Sequence, residues 1–219
     1  MKLVIQIVLW IVIIFLGWQL WSSIMGPVEF NKVKEVRYAK VIKNLKDIQA
    51  AELAHKEITG SFTGSFDSLI HFIETAQFAI TQRRDTSYAD VAKNKAFGIS
   101  EGYFIDKSLI DTLGFTPVKD SLFKNSTRYK TMMNVPIEGV DAKFDLKAGK
   151  ITKNDATYSV FEAKVAKDIV LHGLNKDLLI QEKQVQSVDG VNGEYIKVGS
   201  MDEVNTAGNW PKIYDTAIK

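Results

Sequence analysis

After Met1 and Lys2 the chain enters a run with no alternation of polar and apolar positions. Residues 3–25 read LVIQIVLWIVIIFLGWQLWSSIM, with no charged side chain and only Gln6, Gln19, Ser22 and Ser23 strongly polar. A helix rises about 1.5 Å per residue, so this run predicts a helix spanning a hydrocarbon layer of about 30 Å. Trp18 and Trp21 fall near its C-terminal end, where indole rings favour the membrane–water interface. Gly26-Pro27 is expected to bend or end this helix.

The pattern then changes period. Between Val28 and Glu57 there is no Pro or Gly, and apolar residues recur at Phe30, Val33, Val36, Val41, Leu45, Ile48 and Ala51. Spacings of three and four place these on one face of a second helix, with Lys and Glu on the others. Lys34 and Glu52 interrupt a strict heptad seam. Phe30, Val33, Val41, Leu45 and Ile48 form the candidate helix interface, either with the chain's own domain or with a partner. Trp18, Trp21, Lys32, Lys34 and Arg37 form the candidate membrane interface. Thr59-Gly60 is the expected end, glycine supplying a left-handed cap.

Beyond Gly60 the periodicity is weaker. Gly60 to Ser68 is rich in turn residues, with Phe62 and Phe66 pinning it to the core. Asp67 or Ser68 is the expected cap of a short helix, Leu69 to Thr75, with Leu69, Ile70 and Ile73 inward. Gln77 to Thr81 suits a short strand, and the polar stretch 83–100 a mobile surface loop. Lys107 to Thr112 suits strand or helix, and Phe115 to Asp120 an extended segment. The second half reads as β-rich: Ala142 to Leu146 alternates, Ala148-Gly149-Lys150 suits a turn, and Tyr158 to Val165 suits a strand. Leu174 to Gln181 is a short amphipathic element. Gln184 to Val188 and Glu194 to Val198 flank Asp189-Gly190-Val191-Asn192-Gly193, a hairpin signal.

These elements predict an α+β protein. An anchor (1–26) leads through a membrane-proximal amphipathic helix (27–59) into a small domain with an antiparallel sheet (60–219). The apolar run is too long for a signal-peptide core and no A-x-A site follows, so it reads as an uncleaved, single-pass anchor. Lys32, Lys34, Arg37, Lys40, Lys43 and Lys46 outnumber Lys2 and the amino terminus, which by charge alone favours a cytoplasmic domain. Long domains translocate largely regardless of charge, and the signal-anchor pattern instead predicts a domain outside the cytoplasm.

Composition narrows the chemistry. A net charge of +2 over 219 residues gives no reason to expect nucleic acid as a partner, and the absence of cysteine removes thiolate nucleophiles and disulfides. His55, His71 and His172 lack metal-ligand spacing, and no nucleophile elbow, P-loop or dinucleotide fingerprint is present. The chain therefore reads as non-enzymatic, with no cofactor and no metal. Its expected partners are the lipid bilayer and other proteins or copies of itself, met through the two helical segments.

The order of an apolar helix, a proline at 27, a continuing amphipathic helix and then Gly60, Phe62, Asp67, Ser68 and Leu69 resembles the N-terminal third of type IV pilins and type II secretion pseudopilins. Gly199-Ser200 and Gly208-Asn209-Trp210-Pro211 are similar to a late pilin strand and loop. The chain departs from that family in lacking a prepilin-peptidase site, and uncharged Gln6 stands nearest to the family's glutamate. The single-pass platform proteins of the same machines share the unprocessed anchor, helical stalk and small α/β domain. The resemblance implies a structural subunit of a bacterial cell-envelope assembly in the inner membrane, its domain periplasmic. The alternative is a membrane-tethered binding or sensor module working through its soluble domain.

Overall fold

The computed structural model describes residues 2–100 and 102–216. Met1, whose amine enters the charge comparison above, and the last three residues of the tail lie outside them. In chain order the elements are helix α1 (Lys2–Thr59), helix α2 (Phe66–Thr75), strand β1 (Gln77–Ala89), helix α3 (Val91–Ala96), strand β2 (Phe104–Pro117) and helix α4 (Val118–Phe123). Strands β3 (Asp145–Lys153) and β4 (Ala156–Ala166), helices α5 (Lys167–Val170) and α6 (Lys176–Lys183), strand β5 (Tyr195–Gly199) and helix α7 (Ile213–Thr216) follow. The protein is α+β, with a long apolar N-terminal helix and small antiparallel sheets. It divides into two compact units, Met1–Leu69 with Thr127–Lys219, and Ile70–Ser126.

The first unit is built on α1. Tyr38, Val41, Ile42, Leu45, Ile48 and Ala51 are buried along one face at spacings of three and four. Each large apolar side chain so buried contributes about 1.5–3 kcal/mol. The stripe packs against β4, β5 and α5, and β4 supplies Val160, Phe161, Ala163 and Val165 to the same core. The helix's polar flanks also hold the domain: Asp47 meets Arg128 at 2.8 Å, Lys46 donates to the Tyr214 carbonyl at 2.8 Å, and Gln49 to that of Thr206 at 2.6 Å. The sheet order is β3-β4-β5, all antiparallel.

Several expectations are corrected. Gly26-Pro27 does not end the helix; α1 runs through Pro27 unbroken. Proline lacks the N–H that would reach the Ser23 carbonyl, but it falls where the apolar run gives way to polar sequence and water can satisfy that group. Ser65, rather than Asp67 or Ser68, caps α2, its Oγ accepting the Ser68 N–H at 3.4 Å. Ala148-Gly149-Lys150 lies inside β3, Gly149 opposite Val160. The turn falls instead at Asn154-Asp155, both at positive φ (50° and 59°), the geometry of a two-residue hairpin turn that Asn and Asp tolerate. Gln184 to Val188 is not a strand, and β5 pairs with β4. The intervening loop is held by side chains: Lys167 Nζ donates to the Glu182 and Val191 carbonyls, and Asn192 Oδ1 accepts the Ser187 N–H at 2.8 Å.

The second unit is a long ribbon. The strand expected at Gln77–Thr81 continues to Ala89 and pairs with all of β2, so residues 83–89 are sheet rather than loop, and Lys107–Thr112 resolves as strand. Cross-strand partners explain why the polar stretch is ordered: Arg84 pairs with Asp111, and Arg83 and Asp85 both bond Ser108. A bulge falls between Ile80 and Thr81, where Leu113 is the extra residue of β2. The tip is also built. Asp90 caps α3 through the Lys93 N–H, and buried Asn94 exchanges two hydrogen bonds with the Tyr103 backbone. At the ribbon's base the Val118 N–H donates to the Ala76 carbonyl, and α4 replaces the extended stretch expected through Asp120.

Candidate membrane-interaction site

Helix α1 changes character along its length. From Leu3 to Ile24 its large apolar side chains are 44–69% exposed on every side. The segment is long and apolar enough to cross a membrane by length and composition. Burial then begins at Phe30 and follows the single face described above. Anchor-like and core-forming segments are therefore one 58-residue rod, with no linker between them.

Of the candidate helix interface, Phe30, Val41, Leu45 and Ile48 are buried in the chain's own core. They are not a free surface for a partner; the physical reason is that β4, β5 and α5 already cover that face. Val33 is half-buried and, with Val36, Pro136 and Ile137, lines a cleft of about 460 Å³. Glu29, Lys32, Arg37, Lys40 and Glu138 complete its wall. Of the candidate membrane interface, Trp18, Trp21 and Lys32 are exposed. Lys34 and Arg37 are not available as headgroup ligands. Lys34 Nζ lies 2.8 Å from Glu182, and the Arg37 guanidinium donates to the carbonyls of Val170 and His172 at 3.0 and 2.8 Å. Both side chains fasten α1 to the loops and helices around α5 and α6.

Among the described residues, two sites with buried charge have partners that the sequence did not name. Lys167 is fully buried; its Nζ donates to the Glu182 carbonyl at 2.6 Å and the Val191 carbonyl at 2.7 Å, with the Glu182 carboxylate at 3.4 Å. Burial lowers the lysine's pKa, and the Glu182 carboxylate opposes that shift. Tyr38 donates to the same carboxylate at 3.2 Å, and burial raises its pKa. The second site is Glu52, on the helix stripe. One carboxylate oxygen accepts the Thr63 N–H at 3.0 Å, and the other has no hydrogen-bond partner among the described residues.

Burial pushes the Glu52 pKa up to about 7 from 4.5, against a lowering by the Thr63 N–H. The folded state therefore holds its proton more tightly than the unfolded chain. Stability conferred by the neutral form is complete below pH 4.5, declines as pH rises, and is lost above about 7. At about 1.4 kcal/mol per unit, the loss across that window is roughly 3 kcal/mol. Glu52→Gln keeps an oxygen for Thr63 and cannot ionise. Urea unfolding at pH 5 and pH 8 should show the variant gaining on the wild type by roughly 3 kcal/mol at the higher pH. Equal differences at both values would mean that Glu52 is hydrated in the folded protein.

Among the described residues no group of three His, Cys, Asp or Glu side chains is placed to hold a metal ion. His55 instead closes the C-terminal turn of α1: its ring nitrogen meets the Ser61 carbonyl at 2.6 Å and the Thr59 hydroxyl at 3.1 Å. No protein-family model, curated protein or solved structure matches the chain.

Proposed function

We propose that the chain is a membrane-anchored, non-enzymatic structural subunit of a bacterial cell-envelope assembly, pilin-like or platform-like. It crosses the inner membrane once, with its domain on the extracytoplasmic side. The observation that carries this reading is the single rod of α1, apolar and uncovered on all sides through Ile24 and buried in a domain core from Phe30 onward. Such a rod fixes the height and tilt of the domain above the bilayer, which suits a part that must stack with others in register. The surfaces left for association are the exposed half of α1, the Val33–Val36 cleft and the ribbon, because the rest of the stripe is already used.

Lysine at the centre of a spanning helix opposes insertion by about 2.5–3.5 kcal/mol per residue. The double variant Ile13→Lys/Leu16→Lys should leave the membrane fraction under alkaline carbonate washing, while the wild type stays. Release of the wild type under the same wash would overturn the anchor. Side is tested separately: Ser87→Cys, the only thiol in the chain, should react in intact cells with a membrane-impermeant reagent once any outer barrier is opened. Protection until lysis would place the domain in the cytoplasm.

A second reading, a tethered binding or sensor module, is favoured by the ribbon, where Phe104, Ile110, Leu113 and Phe115 are 57–69% exposed. Under it, shortening the ribbon between Thr81 and Thr112 leaves the size of the membrane complex unchanged. A smaller complex favours the structural reading.

A further inference from the structure

We propose that the outer edge of β2 pairs with β2 of a second copy of this chain, antiparallel about Leu109, joining two ribbons into one four-stranded sheet. The inference stands on the ribbon alone and holds whether or not α1 enters a membrane.

Among the described residues the sheet contains only β1 and β2, so the 14 residues of β2 present a free edge on the side away from β1. A two-stranded hairpin is marginal in water, and a long apolar edge strand is a template for another strand. Strand β2 is the more apolar edge: Phe104, Ile105, Leu109, Ile110, Leu113 and Phe115 are each 41–69% exposed, against Ile80 and Tyr88 at 48% and 45% on β1. Each strand also carries charges at its middle, Arg83, Arg84 and Asp85 on β1 and Asp106, Lys107 and Asp111 on β2. Those of β2 include a lysine and an aspartate two residues either side of Leu109. Joining two ribbons through β2 puts the more apolar strands in the centre.

Charge complementarity favours this register over those centred on Lys107 or Asp111. In an antiparallel pair centred on Leu109, Lys107 of each copy stands directly opposite Asp111 of the other, and Leu109 faces its own equivalent. Ile105, Lys107, Leu109 and Asp111 share one face of β2, being opposite Tyr88, Thr86, Arg84 and Gln82. Asp111 already pairs with Arg84, so it would sit between two cations. A register centred on Lys107 sets lysine against lysine, and one centred on Asp111 sets aspartate against aspartate; both are unfavourable.

The test uses the full-length chain in membranes and in detergent, which has no cysteine of its own. Opposite residues in an antiparallel pair have Cβ atoms about 4.5–5.5 Å apart, close enough to bridge after small adjustment. Under mild oxidation Leu109→Cys should run largely as a disulfide dimer. Lys107→Cys mixed with Asp111→Cys should give the mixed dimer severalfold over either homodimer. Ser87→Cys on β1 should form no disulfide dimer. A thiol-free variant, Lys107→Glu, sets like charges opposite one another twice and should weaken the dimer by roughly tenfold on sizing. The proposal is overturned if Leu109→Cys links no better than Ser87→Cys, if the mixed pair shows no preference, or if the chain sizes as a monomer. In the last case the edge is open to a strand from another protein.

Discussion

Lys167→Ala is expected to lower the stability of the first unit by about 3–5 kcal/mol, read as a urea midpoint on the full-length chain in detergent. The size of the effect follows from what the ammonium satisfies. Its Nζ donates to the carbonyls of Glu182 and Val191, which have left water with it, and it sits beside the Glu182 carboxylate. Removing the side chain leaves two acceptors without that donor, a carboxylate with less cationic support, and a cavity where the four-carbon stem packed. Lys167→Met separates these contributions. It fills most of the space but donates nothing, so it should recover the cavity part only. The loop 184–193 should lose hydrogen-exchange protection in both variants, because Lys167 ties its two ends together. Lys183→Ala, which removes an exposed pair with Asp168, should leave the midpoint unchanged. If Lys167→Ala is no worse than Lys183→Ala, water reaches the site and the burial argument fails.

Gly199→Ala should be nearly as damaging, by roughly 3 kcal/mol or more, a fall of about 6–12 °C in melting temperature for a unit of this size. Two independent costs meet there. Gly199 has φ of +78°, which L-residues rarely adopt. A Cβ placed on it would also overlap the carbonyl oxygen of Phe161, on the central strand β4. That oxygen belongs to backbone and cannot swing aside. Gly60→Ala isolates the first cost: Gly60 has φ of +83° at the end of α1, with open space around a would-be Cβ. It should lose only the left-handed strain, about 1–2 kcal/mol. Equal effects at the two positions would show that β5 can shift away from β4 without penalty.

Charged residues with distant partners are where local pattern and structure part. Lys34 and Glu52 were legible only as interruptions of an apolar stripe. A charge placed on a stripe that becomes buried must be paired, neutralised or strained. Lys34 is paired with Glu182, far along the chain, and Glu52 is pushed toward neutrality. Periodicity places both positions on the stripe, Glu52 buried and Lys34 partly exposed, but no local rule names the partner. Lys167 gave less signal still, because its companions are backbone carbonyls, which every residue carries. The ribbon was missed for a related reason. Arg83, Arg84 and Asp85 read as a solvated loop by composition, and become a strand only when Ser108 and Asp111 stand opposite them.

Local pattern settles what depends on neighbours along the chain. The unbroken apolar run fixed an exposed helix about 30 Å long, the spacings of three and four put Phe30, Val41, Leu45, Ile48 and Ala51 on the buried face, and Gly60 fixed where α1 stops. Tyr38 and Ile42 join that face outside the expected stripe, and Val36 on the stripe is exposed. Composition also limited the chemistry, since a chain without cysteine has no thiolate. Tertiary structure decided what depends on distant partners. It turned Lys34 and Arg37 on the basic flank of α1 from candidate headgroup ligands into fastenings for α5 and α6. It consumed the apolar stripe that could have met a partner, and it left β2 as an uncovered edge. Local pattern measures how much a segment gains by leaving water, and only the completed packing determines which surface covers it.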